Sequence, residues 1–257
     1  MKKQLLINIL IFGLLSTLIT SCTTDATSPE EGGTLKLYLT DAQSAYDEVN
    51  ITFSEISAHF NSDWITVVGE PVKVNLLNYN NGETLLLGSE ALPAGKYTQI
   101  RLHISDADIV VDGAQPLSMT VPSEELKLGP QFTIEDGITY EMVIDFDAER
   151  SVAVSGPKGN PSYKLKPHIR VVPKALTGSI SGNVLNNDYN PIAHAIQGTD
   201  TLTSSIIKED GTFILGFLEA GTYQVDIEDN DDPLKTYSTS AVVTVGDNTE
   251  LGEITLF

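Results

Sequence analysis

The stretch "YKLKPHIRVV" at residues 163–172 puts four basic or titratable side chains at alternating positions: Lys164, Lys166, His168 and Arg170. In an extended strand alternate residues share a face, so the spacing predicts a one-sided basic stripe. Arg101 and His103 repeat the pattern in "YTQIRLHI". In an acidic chain such a stripe could hold an anionic ligand, an acidic glycan or a lipid phosphate, through charge-assisted hydrogen bonds. The alternative is cross-strand pairing with Glu141, Asp145 and Asp147, a common arrangement on solvated sheet faces. Trp64, the single Trp, follows the turn-like Asn61-Ser62-Asp63. It reads either as a platform for sugar stacking or as a half-buried sandwich Trp.

Acidic clusters give a second kind of chemistry. "DIEDNDDP" at 226–233 gathers Asp226, Glu228, Asp229, Asp231 and Asp232 in one loop-like segment. Hard oxygen donors at close spacing suit Ca²⁺. The interval pattern of an EF-hand loop is missing, so a solvated acidic loop competes with a cation site. Asp145 and Asp147 in "DFDAE" sit two apart on one strand, too close along the chain for the flanking carboxylates of a glycosidase. Ser205-Ile-Ile-Lys208 has the S-x-x-K spacing but lacks the partner motifs of that chemistry. His59, His103, His168 and His194 show no paired metal spacing. No catalytic residue and no cofactor is expected.

These side chains need strands to position them, and the sequence supplies strands almost throughout. Leu35/Leu37/Leu39, Val49/Ile51/Phe53, Ile100/Leu102/Ile104 and Tyr140/Met142/Ile144/Phe146 alternate with polar residues. After Phe53 the phase slips by one residue before Ile56/Ala58/Phe60, which predicts a bulge near Ser54-Glu55. Asp41–Glu48 could form one short helical turn. "NNG", "PAG", "DG" and "GPKGNP" supply turns. The expectation is an all-β chain, two antiparallel β-sandwich domains in tandem. Residues 33–174 make the first and 178–257 the second, where the only Lys or Arg are Lys208 and Lys235.

"LPAGKYTQI" (92–100) and "LEAGTYQVDI" (218–227) share Leu-x-Ala-Gly-x-Tyr. The Ala-Gly pair predicts a tight turn with Gly at positive φ. The following Tyr would bury its ring and bond nearby backbone, as in a tyrosine corner. After Tyr223 the apolar residues share the Tyr face, whereas after Tyr97 they face the other way. The phase difference argues for two independent arrivals at one turn rather than a duplication.

The N-terminus sets the compartment. Lys2 and Lys3 precede an apolar run, Leu5–Leu18, of the length of a signal-peptide core and short of a membrane span. Ile19-Thr20-Ser21-Cys22 resembles the bacterial lipobox, with Ile19 a less usual first residue. The resemblance implies that residues 1–21 are a signal peptide and that Cys22, the only Cys, becomes the lipidated N-terminus. Residues 22–32 read as the lipidated Cys and a flexible tether. Thr23 in place of Asp after the Cys resembles the sorting pattern for the outer membrane. The partners implied are the membrane, through the lipid, and a glycan or an envelope protein. A net charge of −20 makes nucleic acid an improbable partner, since its binding rests on neutralising phosphates.

Two family resemblances follow from the quoted residues. "GTLKLYLTDA", "VNLL", "LPAGKYTQIRLHI", "IDFDAERSV" and "YKLKPHIRVV" resemble a bacterial lipoprotein domain known only as a domain of unknown function (number 4382). Gln43 stands where that family commonly has Pro. "GSISGNV", "NPIAHAI", "KEDGTFILGFLEAGTYQVDI" and "LGEITL" resemble the carboxypeptidase regulatory-like domain. That resemblance implies a seven-stranded transthyretin-like sandwich. Together they imply a non-catalytic envelope lipoprotein that presents a binding or adhesive surface, with carbohydrate as its ligand, or a structural spacer. A hydrolase with an unrecognised site is a third alternative.

Overall fold

A computed structural model describes residues 32–257 apart from 43, 158, 188–190, 230, 231 and 233. Residues 1–21, which the sequence reads as a signal peptide, and Cys22, Gln43 and Asp231 lie outside the described residues.

Strand β1 (Gly32–Asp41) turns Leu35, Leu37 and Leu39 inward at full burial, as their alternation predicts. It occupies the interior of a four-stranded sheet. There it pairs antiparallel with β5 (Leu85–Pro93) on one side and parallel with β10 (Thr139–Phe146) on the other. β13 (Ile169–Pro173) completes the sheet beside β10. Facing it is a nine-stranded sheet built on two long strands, β2 (Glu48–Phe60) and β6 (Gly95–Val110). β3 (Asp63–Val68) and β4 (Val72–Asn75) add to β2. β7 (Leu117–Thr120), β8 (Glu125–Leu128) and β9 (Phe132–Ile134) add to β6. β11 (Val152–Ser155) and β12 (Ser162–Leu165) extend the far edge. Between the sheets lies one apolar core that includes Phe53, Tyr97, Phe132 and Phe146. The register of β2 against β6 slips around Ser54, where the sequence predicts a bulge.

The second sandwich has seven strands. β14 (Thr177–Val184) runs between β17 (Thr212–Glu219) and β20 (Asn248–Ile254). The opposing sheet is ordered β16 (Asp200–Ile206), β15 (Ile192–Gln197), β18 (Gly221–Glu228), β19 (Thr236–Val243). Its separate core includes Phe213, Leu215, Tyr223, Val225 and Ile227. Most ladders are antiparallel. β1–β10, β7–β12 and β14–β20 are parallel pairings that local alternation does not announce.

Both Tyr corners form. Tyr97 and Tyr223 are buried, and each hydroxyl donates 2.9 Å to the carbonyl four residues earlier, Pro93 O and Glu219 O. The turns differ. Gly95 has φ +142°, while Gly221 is absent from the positive-φ residues, which corrects the shared-turn expectation. The phase argument is corrected as well. Ala58 pairs with Ile100 and Phe60 with Tyr97, so β6 carries an extra residue there. That bulge puts Tyr97 on the core side together with Ile100 and Leu102. Among the described residues between Asp41 and Glu48 the expected helical turn is not there: residues 45–47 are bends. Among the described residues the one α-helical turn is α1 (Ala148–Ser151), started by Asp147, whose carboxylate accepts from Arg150 N at 2.9 Å.

Candidate functional site

The basic stripe does not exist as one face. The chain leaves strand geometry at Lys166–His168, and Pro167 can donate no ladder hydrogen bond. Lys164 on β12 belongs to the nine-stranded sheet, while Arg170 on β13 belongs to the four-stranded one. Lys164, Lys166 and His168 are exposed, whereas Arg170 is half-buried. Ser151 fixes the break: its carbonyl accepts from Lys166 N at 2.7 Å and its hydroxyl from His168 N at 2.8 Å. Arg170 sits opposite Asp145 and pairs with it, and its Nη1 donates to Phe217 O at 2.8 Å. Burial pushes the Asp145 carboxyl up against the opposing pull of Arg170. Glu141 pairs instead with Lys174 (3.2 Å) and Lys36 (3.7 Å).

Trp64, Arg101 and His103 do come together on the solvent face of the β3-β2-β6-β8 sheet. The Arg101 guanidinium lies over the Trp64 ring at 4.3 Å, and His59 approaches its side at 4.9 Å. Arg101 also reaches Glu55 (3.3 Å) and Glu125 (3.7 Å), and Lys127 reaches Glu125 (3.1 Å). The cations of this patch are matched by carboxylates. Arg101 occupies a face of the half-buried Trp64 that a sugar ring would need. The arrangement fits the cross-strand ion-pair alternative better than an anion site.

The acidic run is not one loop. Asp226 and Glu228 lie on β18, where Ser238 Oγ donates to Asp226 at 2.7 Å and His194 Nε2 lies 3.4 Å from Glu228. Asp229 is buried and accepts from Asp232 N at 3.2 Å, and Asp232 in turn accepts from Leu234 N at 3.3 Å. These carboxylates serve backbone N–H groups and neighbouring side chains. No group of three or more His, Cys, Asp or Glu side chains among the described residues is arranged to hold a metal ion.

The two sandwiches meet through polar side chains. Asn81, in the turn between β4 and β5, has φ +56° and is buried. Its Nδ2 donates to Ile206 O at 3.0 Å, and its Oδ1 accepts from Ile214 N at 3.2 Å and from the Ser205 hydroxyl. Asn81 thereby stitches β16 to β17 across the open seam of the second sandwich. The adjacent backbone packs close: a Cβ on Gly216 would lie 3.5 Å from Gly82 Cα. Arg150 adds a bond from Nη1 to Thr201 O at 2.9 Å. Ser205, the Ser of the S-x-x-K spacing, is fully buried in this joint, so its hydroxyl is structural.

Beside the joint is a cavity of about 620 Å³. Asp147, Glu149, Arg150 and Ala45 line it from the first sandwich, and Ile192, His194 and Ser204 from the second. Its polar groups are held in place. Glu149 Oε2 accepts from Ala45 N at 3.0 Å, and His194 Nδ1 lies 2.7 Å from Ser204 Oγ. Burial lowers the His194 pKa despite Glu228, so the imidazole is neutral at neutral pH. Burial raises that of Asp147 against the capping bond to Arg150 N. Ser204, His194 and Glu228 are residue types of a hydrolytic triad. Ser204 lies mid-strand on β16, however, where successive N–H groups point in opposite directions and do not converge as an oxyanion hole requires. Asp41 lies just ahead of these loops. Its Oδ1 accepts from Ala148 N at 2.9 Å, its Oδ2 finds no hydrogen-bond partner among the described residues, and burial pushes its carboxyl well above the usual range.

The sequence did not expose this cleft. Asn81 reads as an ordinary turn residue in "NNG", and His194 as one of four scattered histidines. The cross-strand neighbours of His194, Ser204 and Asp226, follow only from register.

Residues 32–167, just over half of the chain, match the family model described as "Domain of unknown function (DUF4382)". No curated protein matches the chain. Among solved structures, the Bacillus anthracis TIE protein is 14% identical with a TM-score of 0.26, covering 88% of this chain and 34% of that protein. The major pilin subunit BcpA of Bacillus cereus is 9% identical with a TM-score of 0.24, covering 88% and 70%. The shaft pilin SpaA of Lactobacillus rhamnosus GG is 9% identical with a TM-score of 0.23, covering 88% and 97%. The chain thus spans about a third of the length of the TIE protein it matches.

Proposed function

The chain belongs to the DUF4382 family, and we propose that it is a non-catalytic lipoprotein of the cell envelope whose joined sandwiches form a binding module, with carbohydrate as the ligand. The observation that carries this is the Asn81 joint, which holds a ligand-sized cleft between two separate cores. Small-molecule sites favour such domain junctions. The lipobox-like Ile19–Cys22 supports outer-membrane anchoring through Cys22. No helix among the described residues is long and apolar enough to cross a membrane. The seven strands of residues 177–254 and the buried Tyr223 corner support a carboxypeptidase regulatory-like second domain.

The same polar joint favours a second reading, a stiff spacer in an envelope assembly that binds no small ligand. The two readings separate on a glycan array probed with the mature chain, combined with fractionation of cells expressing wild-type or Cys22→Ala protein. Glycan binding by a membrane-retained wild type supports the first. Membrane retention without binding to any glycan supports the spacer. Full membrane retention of Cys22→Ala protein would refute the lipid anchor.

A further inference from the structure

The cleft's chemistry narrows the ligand. Its volume, about 620 Å³, falls in the range of small-molecule sites. Charge decides the class. Asp147 and Glu149 face the cavity with Arg150 as the matching cation, His194 beside them is uncharged at neutral pH, and Glu228 stands 3.4 Å behind His194. A carboxylated or phosphorylated ligand would meet this acid excess with only Arg150, among the described lining residues, to pair it, and Arg150 is already bonded to Thr201 O. A ligand with many hydroxyls meets no such penalty. Carboxylates accept from hydroxyls, the guanidinium keeps further N–H donors, and Ser and His side chains can do either. Ala45 from the first sandwich and Ile192 from the second offer apolar surface to the C–H face of a ring.

The groups are also pre-set. Glu149 is fixed by Ala45 N and Ser44 Oγ (3.2 Å), His194 by Ser204, and Arg150 by Thr201 O. Fixed polar groups lose little freedom when a ligand binds. Resting on the reading of the chain as a carbohydrate-binding module, we infer that the cleft between the sandwiches, with Glu149, Arg150, His194 and Ser204 as its polar contacts, is a site for a neutral saccharide, and that it discriminates against uronic and phosphorylated sugars. The Trp64–Arg101 patch and the exposed Lys164, Lys166 and His168 have no part in it.

The test uses the full mature chain in calorimetry and on an array of neutral, amino and uronic oligosaccharides. Wild type should bind neutral members and prefer them at least about tenfold over uronic ones, the scale of one unpaired buried charge or lost hydrogen bond. Glu149→Gln and His194→Asn should each weaken that binding about tenfold or more while thermal melts remain within a few degrees of wild type. Lys164→Ala, which does not line the cleft, should leave it unchanged. Saccharide binding that both cleft variants retain would overturn the site and leave the module reading intact. Preference for uronic or amino sugars would overturn the charge class. No binding to any saccharide would overturn both the inference and the reading beneath it. A cleft variant that unfolds is replaced by Ser204→Ala, whose unchanged affinity would equally overturn the site.

Discussion

Asn81→Ala should uncouple the two sandwiches. The substitution removes the acceptor of Ile214 N–H and of the buried Ser205 hydroxyl, and the donor to Ile206 O. The buried Ser205 hydroxyl costs about 1–3 kcal/mol when left without a partner, and the part-buried Ile206 O and Ile214 N–H about 0.5–1.5 kcal/mol each for the lost bond, which together come to about 3 kcal/mol. That is a large share of the roughly 5–15 kcal/mol by which a domain is stable. All three partners belong to the second sandwich, so the loss falls there, and for a domain of its size about 3 kcal/mol lowers the midpoint by about 12 °C or more. Trp64, the only Trp, reports on the first sandwich alone, whereas far-ultraviolet circular dichroism reports on both. Wild type should show coincident thermal transitions by the two probes. Asn81→Ala should split them, with the dichroism change beginning at lower temperature and the Trp64 transition little moved. Asn81→Asp should be at least as damaging, because a carboxylate would face Ile206 O where a donor is needed. Coincident transitions at the wild-type midpoint in both variants would show that the joint carries no coupling.

Three further outcomes are expected. Gly95→Ala should destabilise by more than Gly221→Ala in thermal melts. A Cβ at Gly95 meets Phe60 at 2.7 Å on a backbone at φ +142°, whereas at Gly221 the nearest atom is the end of the Gln197 side chain at 3.1 Å. Tyr97→Phe and Tyr223→Phe should each cost about 1 kcal/mol in denaturant unfolding, for one hydroxyl-to-carbonyl bond apiece. Asp41 has a folded pKa above its unfolded one, so its contribution is fully present below about pH 4 and is lost as pH rises through the folded value. Asp41→Asn should therefore gain stability relative to wild type at pH 8 and lose that advantage at pH 4. Equal differences at both pH values in paired melts would contradict the assignment.

Alternation along the chain was enough to mark β1, β2, β6 and β10, and even the slip at Ser54, because burial of one sheet face writes itself into local period. It failed at Lys164–Arg170 for a physical reason. The period continues through Pro167, but the residues on either side pair into different sheets, and partner identity leaves no local trace. The bulge that reverses β6 after Tyr97 was equally hidden, since two polar residues, Thr98 and Gln99, fit either face. The cleft was beyond local inference altogether. Its walls come from α1 and the loops around it and from β15 and β16, brought together by a turn whose sequence is common. Alternation puts Arg101 and His103 on one face, but that Trp64 lies beside Arg101 follows only from the pairing of β3 with β2, and the carboxylates next to Arg101 and His103 come from β2 and β8.

The position of β1 has a mechanical meaning. Tension transmitted from residues ahead of Gly32 enters the fold along the axis of a strand bonded on both flanks, to β5 and to β10. Pulled that way, the two ladders must slide and fail together rather than unzip one rung at a time. The parallel partner makes the grip depend on a segment about a hundred residues downstream, so a chain tugged before Phe146 has arrived would hold by β5 alone.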